Sequence, residues 1–430
     1  MNVADSQRLG SALEQLGLSS VSHPDAADVI VLNSCVVRQS AEDKVVGNLT
    51  SMKPLKTRNP ERILALMGCK VGEQTSELAK QFPYVDVFMK PQQYAPLLDL
   101  IGNIKNLDWE GCIGSLAPHE PDVTCHVPII HGCDLMCSFC IIPYRRGRQV
   151  SRPIEEIVRE VTLLVQRGTK EVTVLGQTVD AYGLDLADQP DLSDLLTQLN
   201  EINNLNRIRF LTSHPSYMSD QIINAVADLP KVCEHINLPV QAGSDAILEK
   251  MRRPYTQKDY RELVYKIRDN IPGVSISTDI IVGFPGETEA QYQDTLDLIT
   301  DLKFDKIHTA AYSPRPGTIS FRTLEDDIPQ EEKTRRLKHM DTLQESILAE
   351  KNNSFIGDTV QVLVEGRKRG KLHGRTRTDK LVFIDESQAS IGSIQDVLVE
   401  KSSPWSLPVS YTHLRAHETE ADLVCRLLLE

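Results

Sequence analysis

The stretch that decides the reading is His131-Gly132-Cys133-Asp134-Leu135-Met136-Cys137-Ser138-Phe139-Cys140. Three thiols stand at C-x3-C-x2-C in a span short enough to be one loop. Structural zinc takes four ligands, usually as two C-x2-4-C pairs, and no second pair follows here. The ferredoxin run uses C-x2-C-x2-C with a fourth Cys before Pro, and that is missing too. Three thiolates on a 4Fe-4S cubane leave one iron without a protein ligand. An open position on a metal is where chemistry takes place. Cys133, Cys137 and Cys140 are therefore the candidate catalytic and metal-ligating residues.

With the aromatic Phe139 just before the last Cys, the triplet resembles the signature of radical S-adenosylmethionine (SAM) enzymes. The resemblance implies that the amino and carboxylate groups of SAM chelate the open iron. It also implies that one electron from the reduced cluster breaks the sulfonium C–S bond and that a 5′-deoxyadenosyl radical abstracts a hydrogen. The bland alternative is a structural metal knuckle or three unrelated thiols, and the rest of the chain speaks against it.

Beyond the loop, helical and extended patterns alternate regularly. Helices are expected at 154–167, 192–200, 219–228, 257–270 and 288–302, and strands at 171–175, 207–211, 234–240, 274–282 and 306–312. With a strand from about Thr124 into the cysteine loop, this makes six βα units. Six are too few for a closed eight-stranded barrel, but a partial (β/α)6 barrel fits. Gly176-Gln177, Thr212-Ser213-His214-Pro215, Gln241-Ala242-Gly243-Ser244 and Gly283-Phe284-Pro285-Gly286-Glu287-Thr288 join the cysteine loop just past strand ends, the face from which barrel enzymes build their sites. Each alone is also what a tight turn requires; five on one face are the stronger signal. Phe139, Gly176, Gln177, Gln241 and Gly283 are the candidate cofactor contacts, the last loop offering backbone N–H groups to SAM or a carboxylate. For His214 a hydrogen-bonded structural role is as good a reading as a proton shuttle. Arg145, Arg146, Arg148 and Arg152 fall within eight residues just past the thiols. Such a run is usually a solvated surface, but its position beside the loop gives the first three a substrate-phosphate role.

The first part of the chain alternates too. A helix is expected at 5–17, strands at 28–33 and 62–67, and helices at 40–52 and 73–82, an open α/β arrangement. Cys35 and Cys69 each follow a strand, at the edge where such sheets gather ligands. Residues 90–120 read as a connector. Leu32-Asn33-Ser34-Cys35-Val36-Val37-Arg38, Gly68-Cys69 and the opening Met1-Asn2-Val3-Ala4-Asp5-Ser6 resemble the N-terminal domain of the methylthiotransferase family. Gly176-Gln177-Thr178-Val179, residues 278–288 and Tyr312-Ser313-Pro314-Arg315-Pro316-Gly317-Thr318 match the same family. The resemblance implies an auxiliary 4Fe-4S cluster on three cysteines, of which Cys35 and Cys69 match the second and third. The first would precede Met1, so the chain is expected to be truncated or started too late; Cys112 and Cys125 stand outside the motif. Two buried small hydrophobes are the alternative for Cys35 and Cys69.

A helix over 330–353 leads to short strands near 360–364, 380–384 and 394–399. Between the first two lies the most basic window, Arg367-Lys368-Arg369-Gly370-Lys371-Leu372-His373-Gly374-Arg375-Thr376-Arg377-Thr378-Asp379-Lys380. This part resembles a TRAM domain, an OB-like RNA-binding module, in which Arg367, Lys368, Arg369, Lys371, Arg375 and Arg377 would follow a phosphate backbone. Residues 408–430 match nothing in the family and read as an adaptor-like tail. The expected domains are 1–118, 119–353 and 354–407, followed by that tail.

Nine cysteines in 430 residues, several grouped, read as metal ligands in a reducing compartment rather than a disulfide framework. A net charge of −13 excludes a uniformly basic nucleic-acid binder but not local basic patches. No apolar run reaches membrane-spanning length. The expectation is a cytoplasmic, monomeric radical SAM methylthiotransferase with two 4Fe-4S clusters, using SAM both for the radical and for the methyl group. By resemblance its partner is the anticodon stem-loop of tRNA, and its substrate an isopentenyl-modified adenosine next to the anticodon. Two alternatives stay open: methylthiolation of threonylcarbamoyl-adenosine tRNA or of a ribosomal-protein aspartate, and a non-catalytic iron-sulfur RNA-binding protein.

Overall fold

The computed structural model describes residues 1–34, 39–72, 75–105, 121–368, 370–384 and 389–410. The chain divides into two compact units, residues 1–340 and 341–430. The first sheet and the barrel both lie in the unit of residues 1–340.

That unit opens with three parallel strands in the order β1 (Val29–Ser34), β2 (Ile63–Gly68) and β3 (Val87–Met89). All six residues of β2 are buried, as a central parallel strand covered on both faces requires. Ala65 and Met67 pack with Leu9 and Ala12 of helix Asn2–Gln15 and with Leu97, Leu98 and Ile101 of helix Ala95–Lys105. Leu64 and Leu66 face the other way, against Val45 and Leu49 of helix Gln39–Arg58. Helix Ala95–Lys105 falls within the expected connector, which β3 directly precedes. Their apolar runs are too short to show a period, but burying each large side chain is worth about 1.5–3 kcal/mol. Asn33 pairs with Met67 and Ser34 with Gly68, so Cys69 directly follows a strand end that lies beside the end of β1.

The barrel strands are β4 (Thr124–Pro128), β7 (Glu171–Leu175), β8 (Arg207–Leu211), β9 (His235–Asn237), β10 (Ser275–Val282) and β11 (Lys306–Ala311). Two parallel ladders, β4-β7-β8 and β9-β10-β11, are joined by the bridge Ile208–Val232 and by Ser213 N–H donating to Asn237 O at 3.1 Å. Among the described residues no ladder joins β4 to β11, so the (β/α)6 barrel is open there. The intervening helices Leu192–Asn200, Asp220–Asp228, Gln257–Asn270 and Glu289–Leu302 begin at Asp191, Ser219, Thr256 and Thr288, whose side chains accept from the third helical N–H. Two-residue strands β5 (Ile130–His131) and β6 (Val150–Ser151) pair antiparallel across the cysteine loop.

In the second unit β12 (Thr359–Lys368), β13 (Lys371–Thr376), β14 (Leu381–Ile384), β15 (Ile394–Val399) and β16 (Leu407–Ser410) close a barrel in the order β12-β13-β14-β16-β15. Five strands with a parallel β14–β16 pair make the OB-like arrangement. The basic window is not a loop: Arg367 and Lys368 end β12 and Lys371 begins β13. The tail boundary also moves. Pro408 and Val409 pair with Phe383 and Ile384, and Ser410 with Leu398, because without them the barrel would not close. Residues 411–430, Arg369, Cys35 and Cys112 lie outside the described residues. No described helix is long and apolar enough to cross a membrane.

Candidate active site

The radical loop is held from both sides. Gly132 has φ +70°, and a Cβ there would lie 2.0 Å from Arg148 O, so only glycine lets the loop turn this closely. Cys133 N–H donates to Gly147 O at 3.2 Å and Cys140 N–H to Cys137 O at 3.1 Å. Buried Ser138 anchors the middle: its N–H donates to Met251 O, its hydroxyl to Lys250 O at 2.7 Å, and its carbonyl accepts from Ser320 N–H. Cys133 Sγ lies 3.5 Å from Thr178 Oγ1, and Arg253 Nη1 donates to Cys137 Sγ at 3.5 Å. Arg253 also donates to Tyr255 Oη at 2.6 Å and to Pro239 O at 2.8 Å.

Three thiols on one such loop suit a cubane. Burial, helped by the neighbouring Cys137 and Cys133, pushes the Cys140 thiol up to about 12. Burial pushes Cys133 up as well. Iron must then displace protons to bind, and the energy returned by the metal–thiolate bonds also stabilises the fold. Among the described residues no three His, Cys, Asp or Glu side chains converge on a single-ion site.

Cys69 lies against this loop. Gly68, at φ +109°, turns the chain where a Cβ would stand 2.4 Å from Ser34 O. Cys69 N–H then donates to Ser34 O at 3.0 Å. The thiol is 2% exposed and packs on Ile141, the residue after Cys140. Arg146 Nε donates to Cys69 Sγ at 3.2 Å. Two cysteine groups some seventy positions apart thus share one neighbourhood.

Models of the Radical SAM superfamily, of the uncharacterized protein family UPF0004 and of the TRAM domain match residues 127–299, 1–90 and 353–408. A tRNA-2-methylthio-N(6)-dimethylallyladenosine synthase of Roseiflexus sp. (strain RS-1) is 47% identical over 412 residues, covering 95% of this chain and 86% of its own. One of the same name from Dehalococcoides mccartyi is 45% identical, covering 95% of each. The chain belongs to the radical SAM methylthiotransferases. Among solved structures, the radical S-adenosylmethionine methyltransferase TsrM of Kitasatospora setae shares the fold at a TM-score of 0.54 and 16% identity, covering 74% of this chain and 73% of its own.

This methylthiotransferase is therefore an enzyme whose family uses a 4Fe-4S cluster and SAM. The other expected site residues divide sharply. Phe139 packs into an apolar cluster with Ala242, Met251, Phe284 and Tyr312. Gly176 leaves no room for a Cβ, which would lie 2.2 Å from Ile130 Cγ2. Gln177 Oε1 is buried without a hydrogen-bond partner among the described residues, so it is poised to receive one. Gln241 takes φ +76° and exchanges backbone bonds with Asp279 and Ile281. The Gly283 amide does not await a ligand. It donates to Glu287 Oε2 at 2.6 Å, the Gly286 amide donates to Asp327 Oδ1 at 2.7 Å, and Lys333 fills the space over Gly283.

The arginines divide as well. Arg148 is exposed and paired with Asp134 at 2.9 Å. Arg145 is half-buried against Gly72. Arg146, expected on phosphate, is turned inward with its side chain 3% exposed, which corrects that expectation. Arg367, Lys368 and Lys371 are exposed, Arg377 is half-buried, and Arg375 pairs with Asp379 at 3.1 Å and with Glu365 at 3.7 Å.

The sequence did not single out Arg253 or Asp180. Nothing in Arg252-Arg253-Pro254 signals that the second guanidinium is buried on a cluster thiol. Burial raises the Asp180 carboxyl to about 8 and lowers His214 to about 3, so both are neutral near pH 7. His214 N–H donates to Asp180 Oδ2 at 2.7 Å, while Asp180 Oδ1, Ser213 Oγ and His214 Nε2 are buried without partners among the described residues.

Proposed function

We propose that this enzyme methylthiolates tRNA, converting N6-isopentenyladenosine next to the anticodon to its 2-methylthio derivative. The observation that carries the reading is the junction of Cys69 with the radical loop, within a chain that matches synthases of this name along nearly its whole length. Cys133, Cys137 and Cys140 would hold the radical cluster, and Cys69 with Cys35 the auxiliary one. When bound, the first supplies one-electron cleavage of SAM and the second the sulfur to be inserted, a second SAM supplying the methyl group.

The chain's own residues do the rest. Ser138 fixes the loop that positions the three thiols. Arg253 places a buried guanidinium against Cys137 and so holds that side chain in place. Asp180 and His214, both neutral, add no charge of their own beside buried Arg253. Gln177, Asp180 and Ser213 offer buried polar atoms to a base with its own donors and acceptors. An unstacked base fits such a polar interior, while exposed Arg367, Lys368 and Lys371 provide phosphate contacts independent of base sequence. These cations, which would track a phosphate backbone, favour RNA over a ribosomal-protein aspartate.

Nucleoside mass spectrometry of tRNA from cells with and without the gene tests this reading. The 2-methylthio derivative should vanish on deletion while its isopentenyl precursor accumulates. An unchanged nucleoside profile would refute the proposed substrate.

A further inference from the structure

Arg146 has its backbone in the helix Ile142–Arg146, six positions past Cys140, and its guanidinium at the end of another sheet. Besides Cys69 Sγ, it donates through Nη2 to Asn2 Oδ1 at 2.9 Å and to Asp5 Oδ2 at 3.4 Å. The Arg146 and Asp5 side chains are 3% and 1% exposed, so tRNA phosphate cannot be their partner. Nη1 of Arg146 and Oδ1 of Asp5 are buried and have no partner among the described residues. A buried guanidinium with a spare N–H, on a thiol meant to ligate iron, is a donor aimed at the ligated group.

We propose that Arg146 is a positioning residue for the auxiliary cluster: it orients Cys69, supplies the positive charge against which that cluster is reduced, and ties the cluster to the radical loop. This rests on the two-cluster reading above. A cation beside a ligand thiolate favours the more negative, reduced state and raises the potential. Asp5 opposes it through the same guanidinium. Charge and structural support therefore predict different signs. If Arg146 sets the charge, R146Q lowers the auxiliary potential and D5N raises it. If Arg146 is only a strut, both variants disturb the site in the same direction.

The test is an anaerobic potentiometric titration, read by EPR, of the holoenzyme of the full-length gene product and of its R146Q, R146K and D5N forms. Melting temperatures of the variants serve as the check on folding. R146Q should lower the auxiliary reduction equilibrium constant about tenfold, which is 59 mV for one electron. R146K should restore part of that, and D5N should shift it upward. The radical cluster's potential and its spectral response to SAM should stay at wild-type values. Shifts of one sign in R146Q and D5N, equal shifts in both clusters, or no shift overturn the proposal. So does a loss of auxiliary iron in R146Q that R146K does not repair. A wild-type holoenzyme with only one cluster signal overturns the two-cluster reading instead.

Discussion

At Cys137 the ligand thiol meets Arg253, which arrives from the loop after helix Asp245–Lys250. At Cys69 it meets Arg146, which arrives from the helix just past the radical loop. The radical site is local in sequence: ten residues set its three thiols and one buried serine anchors them. The auxiliary thiol is set by a different sheet, and only the fold brings it against Ile141. On the proposed two-cluster reading, a radical source and a sulfur donor must be close but independently loaded. Building one from a loop and the other from strand ends achieves this.

Substitutions should separate the two sites. The largest effect is expected for Cys137→Ala, which removes a ligand of the radical cluster: 5′-deoxyadenosine formation should fall below detection, measured by chromatography after anaerobic reduction with SAM. Arg253→Met removes only the cation beside that ligand and should cost about 10–100-fold in SAM cleavage, the usual range for groups that support a metal ligand. Wild-type turnover in Arg253→Met would show that the two arginines are not counterparts.

Gly132→Ala and Gly68→Ala compare the two turns themselves. Each places a Cβ on a backbone oxygen at positive φ, so each should cost about 1–3 kcal/mol in chemical denaturation. Gly132→Ala should impair SAM cleavage, whereas Gly68→Ala should impair the methylthio product first.

The smallest effect concerns pH. The Asp180 carboxyl titrates at about 8 in the folded protein against 3.8 when exposed. Between those values the native state binds a proton that the unfolded state does not, so this group makes stability fall as pH rises from about 4 to 8. Asp180→Asn should flatten that slope in thermal melts, with its gain over wild type growing toward pH 8. An unchanged slope would remove Asp180 from the neutral cluster beside His214.

What was legible in the sequence followed periodicity and local spacing. The helices Leu192–Asn200, Gln257–Asn270 and Gln330–Asn353 matched their expected spans, because each joins an apolar stripe to clear end signals. Cys69 fell at the expected strand edge for the same reason. What stayed hidden depends on long-range contact. Arg146 lies in a run that reads as solvated, and its inward turn depends on Asn2 and Asp5, more than 140 positions away. On β8, Arg207 and Arg209 alternate with apolar residues as an exposed face would, yet both are buried, Arg209 donating to Glu171 at 2.8 Å. The Gly283 loop looked ready for a ligand because nothing local shows that Glu287 and Lys333 already fill it.

The division of labour between the two sites is tested most directly by Cys69→Ser, with 5′-deoxyadenosine and 2-methylthio nucleoside quantified in the same anaerobic reaction on tRNA. The account predicts that SAM cleavage continues while the methylthio product disappears. Product at wild-type yield, or loss of SAM cleavage together with the product in a folded variant, would contradict it.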